Sequence, residues 1–223
     1  MSEAPAPHAA EGREPRGPAP RLRIRYSKQG KVRFTSHRDV ARIWERALRR
    51  AQIPIAYTEG FAPRPKLSFG LALSTGYESL GEYLDVALRV PLDHVAVEQV
   101  PALLAPALPA GIEVQSVVAL PPGEPSLQQV VTSCTWHIEV GDLGPSDVSA
   151  GVARALEATE LPLTRERKGQ TVTDDVRPAI LDLQVLGPVT EVVAPLAPTA
   201  TGTATALRAE LATFLAERLS PQK

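Results

Sequence analysis

The sequence has very little cysteine and few aromatic residues. Cys134 is the single cysteine among 223 residues, and aromatic side chains make up 4%. One thiol excludes a disulfide framework and any multi-cysteine metal site, and the sequence predicts neither a metal site nor a cofactor. No apolar run approaches the roughly 20 residues that cross a bilayer, and residues 1–20 lack the apolar centre of a signal peptide. We therefore expect a cytoplasmic protein with no membrane segment.

The residues that are present are typical of a globular protein rich in proline. Hydrophobic residues make up 43% and charged residues 22%, and there are 22 prolines. These proportions favour a core of Leu, Val and Ala joined by many Pro-bearing connections. Residues 1–20 consist mainly of Ala, Pro, Gly, Glu and Arg, and this composition predicts a disordered leader.

Charge is distributed unevenly along the chain. Residues 21–70 contain thirteen Lys or Arg and three Asp or Glu, which gives a net charge of about +10 by formal count. Residues 71–223 contain nine basic and nineteen acidic residues, a net charge of about −10. Such segregation predicts a dipolar surface whose basic end suits a polyanion.

Residues 21–54, directly after the leader, predict a strand and an amphipathic helix. Apolar and polar residues alternate over 21–26, and after a turn at 28–31 Val32 and Phe34 continue the extended pattern. Ser36 is a predicted N-cap, and Pro54 ends the helix that follows it. The apolar positions of this helix step by three and four: Val40, Ile43, Trp44, Ala47, Leu48 and Ala51.

The order of elements predicts the fold class. Residues 55–58 form a short predicted strand, and the remaining elements of residues 21–120 are strands 66–74 and 82–90, helix 92–108 and strand 112–120. This order predicts an α+β fold with a ferredoxin-like split β-α-β first half over residues 21–120. Glu82 and Asp85 are three residues apart on one strand, so they face opposite sides and are expected to belong to a surface strand.

The second half repeats the pattern in a degenerate and incomplete form. Residues 121–129 are a predicted linker, and residues 130–223 a second α+β subdomain. Its predicted elements are strand 130–140, helix 146–158, strands 161–167 and 179–186, an Ala/Pro/Thr tether at 193–203 and a terminal helix at 205–219.

The predicted binding surface is the polar side of the first helix. Its members are basic and spaced mainly by three and four residues: Arg38, Arg42, Arg46, Arg49 and Arg50. Arginine on one helix face matches successive phosphates well because its guanidinium binds them bidentately. The alternative interpretation is an ordinary solvated face, although such faces usually mix charges of both signs.

A proline-rich loop at 59–66 is the second candidate. Pro63 and Pro65 stiffen the backbone that carries Arg64 and Lys66, and Phe61 offers a ring on which a base can stack. The alternative is a structural crossover in which the prolines only stop helix formation. His37, beside the predicted cap, is a possible additional contact.

No catalytic residues are predicted. Neither a His-Glu-x-x-His nor a Cys-x-x-Cys pattern occurs, and no Gly-rich phosphate loop is present. Arg165, Arg167, Lys168 and Arg177 form a smaller basic group that we interpret as a hairpin surface. We interpret Cys134 as a small apolar residue of a strand.

Five segments of the chain carry a family resemblance: Arg25-Tyr26-Ser27-Lys28, residues 34–39, residues 57–69, residues 81–85 and, more loosely, Asp175-Val176-Arg177-Pro178. They resemble a bacterial family of uncharacterised function, the radical-SAM-linked or radical-SAM-associated proteins. The resemblance implies a bacterial protein with a radical-SAM enzyme as a possible partner, in the standalone form that lacks the radical-SAM domain. A radical-SAM enzyme needs three closely spaced cysteine thiolates for its cluster, so this chain would assist such an enzyme.

The sequence therefore predicts a non-catalytic accessory protein that binds RNA or another polyanion through the basic helix and the Pro-rich loop. One alternative is a protein subunit that partners a radical-SAM enzyme. Another is an enzyme acting on a phosphorylated small molecule through the same arginines.

Overall fold

The computed structural model describes residues 19–71, 73–139, 144–167, 169–186 and 191–196. The elements of the first half are β1 (Arg21–Lys28), α1 (His37–Arg50), β2 (Leu67–Phe69), β3 (Ser79–Ala87), α2 (His94–Leu104) and β4 (Ile112–Leu120). The sheet order is β2-β3-β1-β4, and each neighbouring pair is antiparallel. Strands β1 and β2 therefore run parallel on either side of β3, which is the split β-α-β arrangement. The predicted α+β class and its ferredoxin-like first half are confirmed.

Alternation along β1 separates the two faces of this sheet. Leu22, Ile24 and Tyr26 are buried in a core shared with both helices. Their neighbours Arg21, Arg23 and Arg25 therefore lie on the other face, because successive strand residues point to opposite sides. We call this the open face of the sheet. It faces away from α1 and α2.

Helix α1 forms where the sequence predicts it. The Ser36 side chain accepts a hydrogen bond from the Asp39 N–H at 3.2 Å, as an N-cap does. The buried side chains of the helix are Val40, Trp44, Ala47 and Leu48, and Trp44 is fully buried. The ring of Trp44 packs edge-to-face against Tyr26 of β1, with ring centroids 4.8 Å apart. Helix α1 is thus attached to the sheet through its apolar stripe.

Some predicted boundaries in the first half are wrong. Residues 30–34 form a turn of 3-10 helix, and Phe34 is 63% exposed instead of continuing an extended face. Gly30 turns the chain here with φ of +66°, and the Gln29 N–H bonds the Gly111 carbonyl at 2.8 Å. The predicted strand 66–74 is shortened to β2, and the second helix ends at Leu104 before a 3-10 turn.

Residues 121–133 pass across the open face, and we call them the crossing segment. The backbone carbonyls of Glu124 and Pro125 accept hydrogen bonds from Arg21 and Arg23. A short helix, α3 (Leu127–Val130), follows, with Leu127 buried close to Gly70. Hydrogen bonds and packing therefore attach the segment predicted as a linker to the first half.

The second half has its own elements and core. They are β5 (Cys134–Glu139), α4 (Pro145–Glu157), β6 (Pro162–Arg167), β7 (Gln170–Asp175), β8 (Gln184–Leu186) and β9 (Glu191–Leu196). One sheet has the order β5-β9-β8, and β6 pairs with β7 as a hairpin. A core that includes Ile138, Val148 and Leu163 is separate from the core of the first half.

Two predictions for this half need correction. Strand β9 occupies the first four residues of the predicted tether 193–203, because its valines favour an extended backbone and pair with β5. The predicted strand 179–186 forms only at β8. The rest of the tether and the predicted helix 205–219 lie outside the described residues. Within the described residues, no helix is long and apolar enough to cross a membrane.

Replacing Trp44 tests the packing of α1. Trp44→Ala is expected to lower the free energy of unfolding by about 3–5 kcal/mol because it removes a fully buried ring. Chemical denaturation measures this, with Arg46→Ala on the exposed side as the control, expected to change stability by no more than about 0.5 kcal/mol. Emission of Trp44 in the Trp136→Phe background should be that of a buried indole. A solvent-exposed spectrum would contradict the orientation of α1.

Candidate nucleic-acid interface

The exposed side of α1 is a row of arginines. Burial of Val40, Trp44 and Leu48 turns the opposite side outward, and all five predicted arginines are exposed: Arg38, Arg42, Arg46, Arg49 and Arg50. Residues three and four positions apart on a helix are surface neighbours. Four of these cations, from Arg38 to Arg49, therefore share one side of the helix.

Most of these cations lack an anionic partner. Arg42 pairs with Asp39 one turn earlier, with Nη1 and Oδ1 3.0 Å apart. The side chains of Arg38, Arg46, Arg49 and Arg50 form no hydrogen bond or ion pair with any residue that the structure describes. The pKa of Asp39 lies below its ordinary value, because Ser36 and then Arg42 donate hydrogen bonds to its carboxylate. The one acid paired on this side of the helix is thus already engaged.

Some other basic residues of 21–70 are less available to a ligand. Arg33 pairs with Glu78 at 2.9 Å. Lys28 is 2% exposed, and its Nζ donates to the carbonyls of Arg33 and Thr35 at 3.4 and 3.3 Å. Burial lowers the pKa of Lys28. The formal charge of this region therefore overstates the charge that its surface offers.

A buried carboxylate with two arginine partners lies on the open face. Asp85 is 3% exposed and accepts two hydrogen bonds from Arg23, at 2.8 and 2.9 Å, with Arg21 at 3.4 Å. The hydrogen bond with Asp85 raises the pKa of Arg23. The expectation that Asp85 belongs to a surface strand is therefore wrong. Its position was not visible in the sequence, because it depends on the partner strand and on the crossing segment.

The Pro-rich loop is a small closed hairpin. The Thr58 N–H bonds the Arg64 carbonyl at 2.8 Å, and the Arg64 N–H bonds the Thr58 hydroxyl at 3.0 Å. Tyr57 and Pro65 form an antiparallel bridge below them. At the tip, the side chain of Phe61 is fully exposed. Arg64 and Lys66 are exposed as well, and their side chains have no ion pair with residues in the described ranges.

The hairpin and the end of α1 lie at the same end of the sheet. Helix α1 ends at Arg50, and the chain then joins the end of β3 through the bridge between Ile55 and Leu88. Beside this bridge the Lys66 N–H bonds the Ala56 carbonyl at 2.9 Å. The loop cations and the last arginines of α1 therefore emerge from one end of the fold.

His37 is a packing residue at the start of α1. Its ring lies edge-to-face against Phe69 of β2, with centroids 5.0 Å apart. Partial burial lowers the pKa of His37, and the positive charge of Lys28 lowers it further. His37 therefore carries less positive charge near pH 7 than an ordinary histidine would.

Two members of the smaller basic group, Arg165 and Arg167, belong to a hairpin strand of the second half, and a basic hairpin surface stays a prediction. Strands β6 and β7 form the hairpin. Arg177 follows it and donates to the carbonyls of Leu156, Ala158 and Ile180 at 2.9 to 3.2 Å. Asp175 accepts hydrogen bonds from the N–H groups of Leu161 and Arg177. The Asp175–Pro178 motif thus stabilises the fold, and Arg177 is not a free cation.

No metal cluster is found in the part of the chain that the structure describes: it has no group of three His, Cys, Asp or Glu side chains arranged to hold an ion. Cys134 is half-buried at the start of β5. The exposed, chemically distinctive groups are the arginine row and the hairpin.

The fold and this surface define an α+β protein with a ferredoxin-like first half and an exposed basic helix. A family comparison matches residues 21–211, and the chain belongs to this family, DUF2344, described as an uncharacterized protein conserved in bacteria. This confirms the expectation of an uncharacterised bacterial family, and its association with radical-SAM enzymes stays a prediction. No curated protein matches the chain.

A pH prediction follows from His37. Its pKa in the folded protein lies below the ordinary value of about 6.5, so the unfolded chain binds a proton more readily. Stability is therefore expected to decrease as pH falls from about 7 through the folded-state pKa. Urea unfolding at pH 7.5 and 5.5 measures this decrease, and His37→Gln should make it smaller. An equal decrease in both proteins would show that His37 does not contribute.

Proposed function

We propose that this protein is a cytoplasmic, non-catalytic accessory protein that binds RNA through a basic face. The basic face consists of the α1 arginines together with the hairpin cations: Arg38, Arg42, Arg46, Arg49, Arg50, Arg64 and Lys66. The observation that carries this proposal is the row of exposed arginines, only one of which has an ion pair among the described residues, on a helix whose other side is the core.

The electrostatics of α1 favour an anionic ligand. Like charges three and four residues apart destabilise a helix by a few tenths of a kcal/mol per pair. Here Asp39 is paired with Arg42 and also attracts Arg38, but Arg46, Arg49 and Arg50 form no ion pair with described residues, so repulsion among them remains. A phosphate backbone relieves that repulsion, and the release of its counterions adds further to the free energy of binding. A run of guanidinium groups over three turns suits several phosphates better than one small anion.

The hairpin supplies the feature that favours RNA over other polyanions. A fully exposed phenyl ring, such as that of Phe61, gains no burial from the fold that carries it. Single-stranded nucleic acids use such rings, because each stacked base contributes about 1–3 kcal/mol. Arg64 is three residues from Phe61 on the same closed loop. Stacking and phosphate contact are therefore available together.

A radical-SAM enzyme as protein partner is the second candidate. The resemblance to radical-SAM-linked proteins suggests it, and exposed apolar side chains on α2 favour a protein contact. Val95 is 62% exposed and Leu103 is 46% exposed, two turns further along the same helix. Such a complex would persist at high salt because it buries apolar area, whereas RNA binding would weaken.

Neutralising α1 tests the RNA proposal. In Arg38→Gln/Arg46→Gln/Arg49→Gln, the affinity for single-stranded RNA should fall, and the slope of log K against log salt should become shallower by about 2. Filter binding or fluorescence anisotropy across salt concentrations measures both. The control is Arg154→Gln, an exposed arginine of α4. Affinity and slope that match the wild type in the triple variant would rule out α1.

The hairpin makes a separate prediction. Phe61→Ala should weaken binding of single-stranded RNA by about 1–3 kcal/mol, while its melting temperature stays near that of the wild type because the ring has no packing to lose. Arg64→Gln/Lys66→Gln should likewise bind less tightly at unchanged stability. Pro65→Gly is the structural control, expected to lower the melting temperature. A Phe61 variant that melts early but binds normally would make the loop a scaffold.

A further inference from the structure

A groove of about 930 Å³ lies on the opposite side of the sheet from α1. Its floor is the open face, including Arg25 of β1 and Tyr83 of β3, which are directly paired across the two strands. The crossing segment and the start of β5 form the far wall, with Trp136 among its residues. The volume is within the range of about 300–1,000 Å³ that is usual for small-molecule sites.

The charges in the groove leave one cation unneutralised. Arg23 is bound to Asp85, and Glu78 accepts hydrogen bonds from Arg33 and from the Gly30 N–H. Glu82 is close enough to the buried Lys28 for their charges to attract. Arg25 is exposed and makes no hydrogen bond or ion pair with the residues described for this structure. A ligand would therefore meet a guanidinium whose donors are all available, which favours an anion.

The position of Arg25 depends on a glycine. The guanidinium lies over Gly81, where an added Cβ would come within 3.3 Å of Nε and Nη2. A larger residue at this position would push the guanidinium away from the strand surface. Gly81 thus leaves room for Arg25 to lie low in the groove beside Tyr83.

Aromatic rings and hydroxyl groups supply the rest of the site. Tyr83 is 37% exposed next to Arg25. Tyr77 and Trp136 contact each other edge-to-face across the groove, with centroids 5.6 Å apart. Thr132, Ser133 and Thr135 contribute hydroxyl-bearing side chains to the lining. One free guanidinium beside a flat ring, with hydroxyl groups opposite, matches a ligand that has a phosphate, a planar ring and a sugar.

We infer that this groove is a second binding site, which takes a nucleotide unit with its phosphate on Arg25 and its base against Tyr83. The ligand is either a free mononucleotide or one nucleotide of a single strand. This site does not depend on the proposed basic face, because α1 covers the opposite side of the sheet. It uses a cation and rings that have no assigned role in the basic face.

Tryptophan fluorescence tests the inference. AMP, GMP, CMP and UMP are titrated separately into the full chain, with inorganic phosphate as a further probe. The change in Trp136 emission is obtained by subtracting the same titration of Trp136→Phe. Arg25→Gln should weaken mononucleotide binding about tenfold or more, since it removes a charge-assisted hydrogen bond. Tyr83→Leu should weaken it too, while Arg154→Gln, the charge-matched control on α4, should not.

The source of the ligand is decided in the α1 triple variant. A single-stranded RNA hexamer is added to this variant with a mononucleotide bound. If the hexamer displaces the mononucleotide, the natural ligand of the groove is one nucleotide of a strand. If it does not, the natural ligand is a free nucleotide. Either result supports the site, and retention of mononucleotide binding in this variant separates it from the basic face. No response to any mononucleotide or to the hexamer, or wild-type affinity in Arg25→Gln, would overturn the inference. Response to inorganic phosphate alone would overturn the nucleotide assignment.

Discussion

The packing of Trp44 against the first sheet is the contact on which the rest of the structure depends. The ring of Trp44 is fully buried against Tyr26, in a core shared by both helices and the two central strands. With that stripe fixed on the sheet, the opposite side of α1, which carries the arginines, is exposed. The exposed arginine row is therefore a consequence of the core, and the two cannot be altered independently.

Asp85 has a comparable effect on the open face. It binds Arg23 and Arg21, which in turn donate to carbonyls of the crossing segment. Burying the Asp85 carboxylate without such partners would lower the stability of the fold, and the same holds for the guanidinium groups. This arrangement removes two cations from the surface and holds the crossing segment over the sheet. It also leaves Arg25, the next open-face residue of β1, as a cation without a partner among the described residues.

Local patterns predicted much of this fold because their causes are local. The cap at Ser36, the apolar stripe of α1 and the alternation of β1 each follow from residues close in sequence, and strand β4 begins and ends where predicted. The 3-10 turn at 30–34 depends on the contact with Gly111, which is distant in sequence. Pairing of β9 with β5 is likewise long-range.

The candidate site also combines features set by local sequence with features set by long-range contacts. The arginine row was predictable, since helix spacing alone brings its members together. The hydrogen bonds that close the loop around Phe61 were harder to predict, although the prolines indicated a stiff segment. The burial of Asp85 and the groove with Arg25 and Tyr83 could not be predicted. Both require the strand order and the path of residues 121–137 across the sheet, and neither leaves a spacing signal in the sequence.

The central claim is that the basic face contacts RNA, and photo-crosslinking tests it most directly. Single-stranded RNA containing 4-thiouridine would be irradiated with the full chain at moderate salt, and the crosslinked peptides mapped by mass spectrometry. Crosslinks are expected in α1 and in residues 57–66, with Phe61 prominent. Crosslinks confined to residues 144–186, or distributed without preference over the chain, would contradict the account.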